Sequence, residues 1–230
     1  METLKICGID PSTASCGKTI MELNKTDYSI IGLKYYCFHN TKVRCFKDDW
    51  LDIDCVGTNY SKLSIMERQH IAYPIIDKDM KDVRFVSLEG YAFSKAGQNN
   101  SRGLVQLGEF IGALKFRLFE AGKGVVIYPS TTIKKFATSD GGADKLKMCA
   151  HLKNDYPQYY HPYFDNIQKW QNPTSDIVDS FWMCEALRCH IKHDVLGSDA
   201  LTPKELMGVQ QHTAKSESIS EMRMVMKKPD

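Results

Sequence analysis

The stretch Leu4-Lys5-Ile6-Cys7-Gly8-Ile9-Asp10-Pro11-Ser12 decides how the chain is read. Leu4 to Asp10 is short and apolar, and Pro11 with Ser12 stops a strand and opens a turn. Asp10 therefore stands at a strand end. Outward from it, Lys18 to Leu23 and Tyr28 to Phe38 are β-favouring runs separated by the polar Asn24, Lys25, Thr26 and Asp27, which reads as a hairpin. Three antiparallel strands open the fold.

Composition sets the frame around that start. The 230 residues are 43% hydrophobic and 25% charged, an ordinary globular balance that predicts one domain with insertions rather than two. Thirty Lys plus Arg against 28 Asp plus Glu leave a net charge of +2, so binding to nucleic acid has to come from a local basic face. Eight cysteines without a C-x-x-C pair, and an N-terminus lacking a basic and then apolar leader, predict reduced thiols in a cytoplasmic protein. Cys184, Cys189, His190 and His193 have the spacing of no common structural zinc site. No apolar run approaches the ~20 residues that cross a bilayer, so a membrane role is not expected.

Further along, residues 40–59 show neither period and read as an insertion, with Asp48, Asp49, Asp52 and Asp54 as a solvated acidic surface. Tyr60 to about Asp79 is helical in pattern, with Pro74 expected to end or kink the helix. Val83 to Leu88 reads as a buried strand ending on Glu89 and Gly90. Arg102 to Glu120 places Leu104, Leu107, Ile111, Leu114 and Leu118 at helical spacing, with Gly108 and Gly112 expected to lie close to a sheet. Val125 to Tyr128 is a fifth strand; helices follow near Thr132 to Phe136 and Ala143 to Asn154. Residues 155–173 read as a loop. Thr174 or Ser175 is placed to cap a helix from about Asp176 to Ile191. The expected layout is a domain over 1–194 and a polar tail over 195–230.

This order of elements predicts an α/β fold of ribonuclease H-like type, a central five-stranded mixed sheet flanked by helices, joined by right-handed crossovers. In it, Asp10 and Glu89 close neighbouring strands. Asp176 and Asp179 are three positions apart, so both project from one helix face. Each of Asp10, Glu89 and Asp176 taken singly also reads as a turn residue, strand-end charge or first-turn carboxylate. Asp179 lies among Ile177, Val178, Phe181 and Trp182, a setting with little polar surface. Glu185, six residues on, is expected to face solvent. If the four carboxylates converge, they must take up protons or bind hard divalent cations such as Mg²⁺ or Mn²⁺. Two such ions suit phosphodiester hydrolysis.

Five motifs in order carry a resemblance: G-I-D-P-S at Gly8 to Ser12, L-E-G-Y-A-F at Leu88 to Phe93, L-G-E-F-I-G-A-L at Leu107 to Leu114, I-K-K-F-A-T-S-D-G-G-A-D-K at Ile133 to Lys145, and D-I-V-D-S-F at Asp176 to Phe181. Together they resemble the RuvC family of Holliday junction resolvases over most of residues 4–191. The resemblance implies a homodimeric, metal-dependent endonuclease that nicks two opposed strands of a four-way DNA junction. It implies Asp10, Glu89, Asp176 and Asp179 as ligands of two Mg²⁺ ions per site, with Mn²⁺ able to substitute. It also implies a junction-contacting segment after Glu89, where Phe93 and Tyr91 compete for the role of a base-stacking aromatic. Lys134 and Lys145 match basic positions of the motif, and Lys135 and Arg102 lie in the same neighbourhoods as candidate DNA contacts. Gly141 and Gly142 are expected either to approach a phosphate or only to permit a turn.

The same residues are compatible with other functions. G-I-D-P-S-T also resembles the first phosphate loop of actin-like ATPases and sugar kinases, but those need a second similar half that this chain does not show. A nuclease acting on RNA–DNA hybrids and a non-catalytic junction-binding protein are the alternatives within the same fold.

Overall fold

The computed structural model describes residues 2–39, 45–57, 59–90, 101–166 and 173–213. Strands β1 (Thr3–Pro11), β2 (Ser15–Asn24) and β3 (Ile30–His39) form the antiparallel trio that the opening runs predict. β4 (Phe46–Lys47) and β5 (Leu51–Cys55) extend the sheet beyond β3. On the other side β6 (Val83–Glu89) runs parallel to β1, and β7 (Gly124–Tyr128) parallel to β6. The order is β4-β5-β3-β2-β1-β6-β7.

The sheet thus has seven strands, two more than expected, and the extra pair comes from the 40–59 segment. β5 buries Leu51 and Ile53 against the core. Asp52 between them is also buried rather than solvated, accepting a hydrogen bond from Lys78 Nζ at 2.6 Å. A buried carboxylate is tolerable there because a cation meets it.

Helices cover both faces, which is why β1 is buried on both sides from Ile6 onward. One face carries α1 (Ile65–Ile76) and α2 (Ser101–Glu120) over Cys7, Ile9, Val86 and Leu88. The other carries α3 (Ser130–Thr138), α4 (Lys145–Asp155), α5 (Thr174–Leu196) and α6 (Pro203–Thr213) over Ile6, Met21 and Phe85. A capping box of Ser64 and Glu67 starts α1, and Pro74 sits in its last turn. α2 turns Phe110, Leu114 and Leu118 inward. Gly112 does not approach the sheet as expected: a Cβ built there meets nothing within 4 Å.

α5 begins at Thr174, so Thr174 and Ser175 lie in its first turn instead of capping it. Glu185 departs furthest from expectation. It is fully buried, held by Arg188 through Nε at 2.7 Å and Nη2 at 2.6 Å, while Tyr156 donates its hydroxyl at 2.8 Å. Arg188 also reaches Glu205 of α6. Residues 198–213, which their polarity assigns to the tail, thus include a 3-10 turn at Ser198–Ala200 and a helix tied to α5 by a buried ion network. Residues 157–166 fold as two 3-10 turns. All eight cysteines are free. Among the described residues no helix is long and apolar enough to cross a membrane.

Candidate active site

Asp10 and Glu89 are brought side by side by register. Ile9 of β1 pairs with Leu88 of β6, so the next residue on each strand is a carboxylate at the same sheet edge. Asp10 is 7% exposed and Glu89 half-buried. Alternation along β1 sends Ile6, Gly8 and Asp10 to the α5 face.

Two glycines then set how closely α5 lies on that face. A Cβ on Gly8 would collide with the Ser180 carbonyl and stand 2.6 Å from the Cys184 amide nitrogen. One on Gly17, the register partner of Asp10, would collide with the Asp176 carbonyl and stand 2.7 Å from the Ile177 nitrogen. Side-chain-free strand positions therefore let the helix backbone settle onto the sheet, carrying Asp176 and Asp179 over the strand ends.

The carboxylates act on one another's charge. Burial pushes the Asp10 carboxyl well above the usual carboxylate range; Lys145 pulls it back, and Glu89, Asp179 and Asp176 push it further up. Asp179 is pushed up to about 6, by burial first, with Glu89 and Asp176 adding to it against the pull of Lys145. Asp176 is raised as well, chiefly by burial. Lys145, the first residue of α4, places its ammonium on Asp179 Oδ2. Burial alone would lower its pKa, but Asp179, Asp10 and Asp176 outweigh that and raise it. Its position follows from the N-cap Asp144, which accepts the Lys147 amide at 2.8 Å and starts the helix there.

Four carboxylates facing one ammonium leave an excess of negative charge, which protons or divalent cations must offset. The donor set is all oxygen and hard, on two neighbouring strand ends and the helix face over them, a chemistry that fits Mg²⁺ or Mn²⁺. Among the described residues, Glu185, Cys189 and Glu205 are the group whose metal-ligating atoms all lie within 4.8 Å of one another, but Arg188 and Lys192 already offset its two carboxylates.

The other sequence-derived candidates separate. Lys134 and Lys135 occupy consecutive positions of α3, one half-buried and one exposed. Of the three lysines, Lys145 is the one that touches the carboxylate cluster. Gly141 and Gly142 form the turn into α4, and the Gly142 amide is satisfied by Asp140 Oδ1 at 2.9 Å. Tyr91, Phe93 and the side chain of Arg102 lie outside the described residues. Sequence reasoning missed Ser15, whose hydroxyl donates to Asp176 Oδ2. Its signal was a period of two, Ser15 and Gly17 and Thr19, small residues on the strand beside Asp10.

A mixed sheet with parallel β1, β6 and β7, an antiparallel β1–β3 meander and acidic residues on adjacent strand ends is the ribonuclease H-like class of fold. Within that class the structure is similar to RuvC and other Holliday junction resolvases. Thermus thermophilus RuvC in complex with a Holliday junction substrate superposes with a TM-score of 0.51 at 14% identity, covering 85% of this chain and 97% of that one. The fowlpox virus resolvase in complex with Holliday junction DNA gives 0.45 at 13%, covering 80% and 97%. The yeast mitochondrial resolvase Ydc2 gives 0.46 at 9%, covering 95% and 83%. The first of these establishes the shared fold. No protein-family model and no curated protein sequence matches the chain.

Proposed function

We propose that this protein is a metal-dependent endonuclease that cuts four-way DNA junctions, and that it acts as a homodimer making paired nicks. The observation that carries the reading is the placement of Asp10 and Glu89 on neighbouring strand ends under the part of α5 that bears Asp176 and Asp179. These residues would hold two Mg²⁺ ions, or Mn²⁺ in their place. When bound, the ions activate water and stabilise the leaving 3′ oxygen of a phosphodiester. The chain's own part is to fix the ligand oxygens on two strand ends and one helix face and to exclude bulk water from Asp10. Lys145 offsets the cluster's charge and is placed to contact DNA phosphate beside the metal ligands. Lys134 and Lys135 of α3, with Arg102, Tyr91 and Phe93, are the further proposed DNA contacts.

The fold likeness to a RuvC solved with a Holliday junction supports a branched substrate over a linear one. Support for the dimer comes from α2. Val105, Phe116 and Phe119 are exposed, the two phenylalanines by 61% and 77%, and with Gly112 they form one stripe at helical spacing. Such a face is an apolar ridge beside a bare backbone step, a shape that complements itself across a two-fold axis. Two sites so related would meet the opposed strands of a junction.

The test offers a synthetic four-way junction, a linear duplex and an RNA–DNA hybrid with Mg²⁺, using wild type and Asp179→Asn. Symmetric cuts in the junction by wild type, and none by Asp179→Asn, are expected. Preferential cutting of the hybrid, or unimpaired cutting by Asp179→Asn, overturns the reading.

A further inference from the structure

β2 turns Ser15, Gly17 and Thr19 toward α5, and each meets the helix differently. Gly17 lets the Asp176 backbone seat against the strand. Thr19 donates its hydroxyl to Ser180 Oγ at 2.7 Å, since Ser180 gives its own proton to the Ile177 carbonyl at 2.7 Å. Ser15 donates its hydroxyl to Asp176 Oδ2. Thr19 thus touches the helix away from the carboxylates, whereas Ser15 touches a carboxylate itself.

Among the described residues the surroundings of Ser15 offer no equivalent partner. It is 1% exposed, so water cannot take its place. The other polar neighbour is the Cys37 thiol at 3.9 Å, a weak hydrogen-bonding group. On the Asp176 side, Oδ1 receives the Ser175 hydroxyl at 3.2 Å, a longer contact from within the same helix turn. Among the described residues the Ser15 bond is therefore the cross-element hydrogen bond on this carboxylate. It joins Asp176 to the strand that pairs with β1 through Asp10 and Gly17.

We propose that Ser15 is a positioning residue for the metal site, fixing the rotamer of Asp176 so that its remaining lone pairs face the pocket shared with Asp10, Glu89 and Asp179. A carboxylate lending oxygen to a cation needs its orientation set before binding, and outer hydrogen-bond partners supply that. Without the Ser15 hydroxyl, Asp176 pivots between its Ser175 contact and the pocket, and cation binding bears the cost of freezing it. This assignment rests on the metal reading of the four carboxylates.

The experiment titrates Mn²⁺ into the full-length protein by calorimetry, with melting temperature recorded in parallel, for wild type, Ser15→Ala and Thr19→Val. Ser15→Ala is expected to bind Mn²⁺ about 10- to 100-fold more weakly, the usual loss for an outer-shell partner. Thr19→Val is expected to lower the melting temperature while keeping the wild-type Mn²⁺ affinity. Equal affinity in Ser15→Ala and wild type overturns the role of Ser15 alone. Equal weakening by Thr19→Val assigns the effect to the seating of α5 and overturns it as well. A wild-type protein that binds no Mn²⁺ overturns the metal reading and this assignment together.

Discussion

Gly17 stands directly across the β1–β2 ladder from Asp10, and on its bare α-carbon rests the carbonyl of Asp176. With Gly8, this residue without a side chain thus sets the distance between the strand carboxylate and the helix carboxylates. Gly17→Ala forces α5 outward against backbone atoms that have no rotamer to yield. A loss of at least about 2 kcal/mol is expected for such overpacking, or roughly 4–8 °C in a chain of this length. Thermal melts check the stability term, and Mn²⁺ affinity should fall with it.

The raised carboxyls make stability depend on pH in a stated direction. Asp179 titrates near 6 in the fold, and Asp10 and Asp176 are also raised above the usual value of 3.8. Folding therefore favours their protonated forms. The stability they contribute is fully present below about pH 4 and is lost as pH rises through 6. On the proposed metal reading, divalent cations would bind the ionised forms and reverse that loss. Millimolar Mn²⁺ should raise the melting temperature more at about pH 8 than at pH 5, and Asp179→Asn should flatten the difference. An equal rise at both pH values goes against this.

One guanidinium ties three groups together at the α5–α6 junction. Arg188 bonds Glu185 and Glu205, both buried, and donates to the Tyr28 carbonyl at 3.1 Å. Arg188→Met strands two carboxylates away from water, a change that costs about 3–5 kcal/mol when a buried ion pair loses one partner. The double variant Glu185→Leu with Arg188→Met should be less destabilised than the sum of the singles, as denaturant titration would read.

The apolar stripe of α2 gives an assembly test that leaves folding intact. Phe116 and Phe119 are too exposed to hold the core, so replacing both by Glu should leave the circular dichroism spectrum unchanged. Sedimentation velocity is expected to show a dimer for wild type and a monomer for the pair variant. A wild-type monomer at tens of micromolar would remove the two-fold arrangement.

How much of this was legible in sequence depended on whether a local pattern carried the information. Asp10 and Glu89 could be placed because each closes an apolar run that a Pro or Gly terminates. Asp179 stood out as a charge inside an apolar helix. β4 and β5 were hidden because they are short and because Asp52 breaks the apolar run, its burial made possible by Lys78, 26 residues away. Glu185 looked solvent-facing although Arg188 stands three residues on; what buries it is the Tyr156 hydroxyl, 29 positions away, and the docking of α6, whose Glu205 shares Arg188. The small residues of β2 were visible, but their meaning was not, since Ser15 and Gly17 matter through a helix 160 positions downstream.

Anomalous diffraction from a crystal soaked in Mn²⁺ goes straight to whether Asp10, Glu89, Asp176 and Asp179 share cations. Peaks are expected inside their pocket, within roughly 2.1 Å of carboxylate oxygens from β1, β6 and α5, with the Lys145 ammonium moved off Asp179. Manganese density confined to other surfaces, with these four side chains unchanged, would contradict the proposed nuclease site.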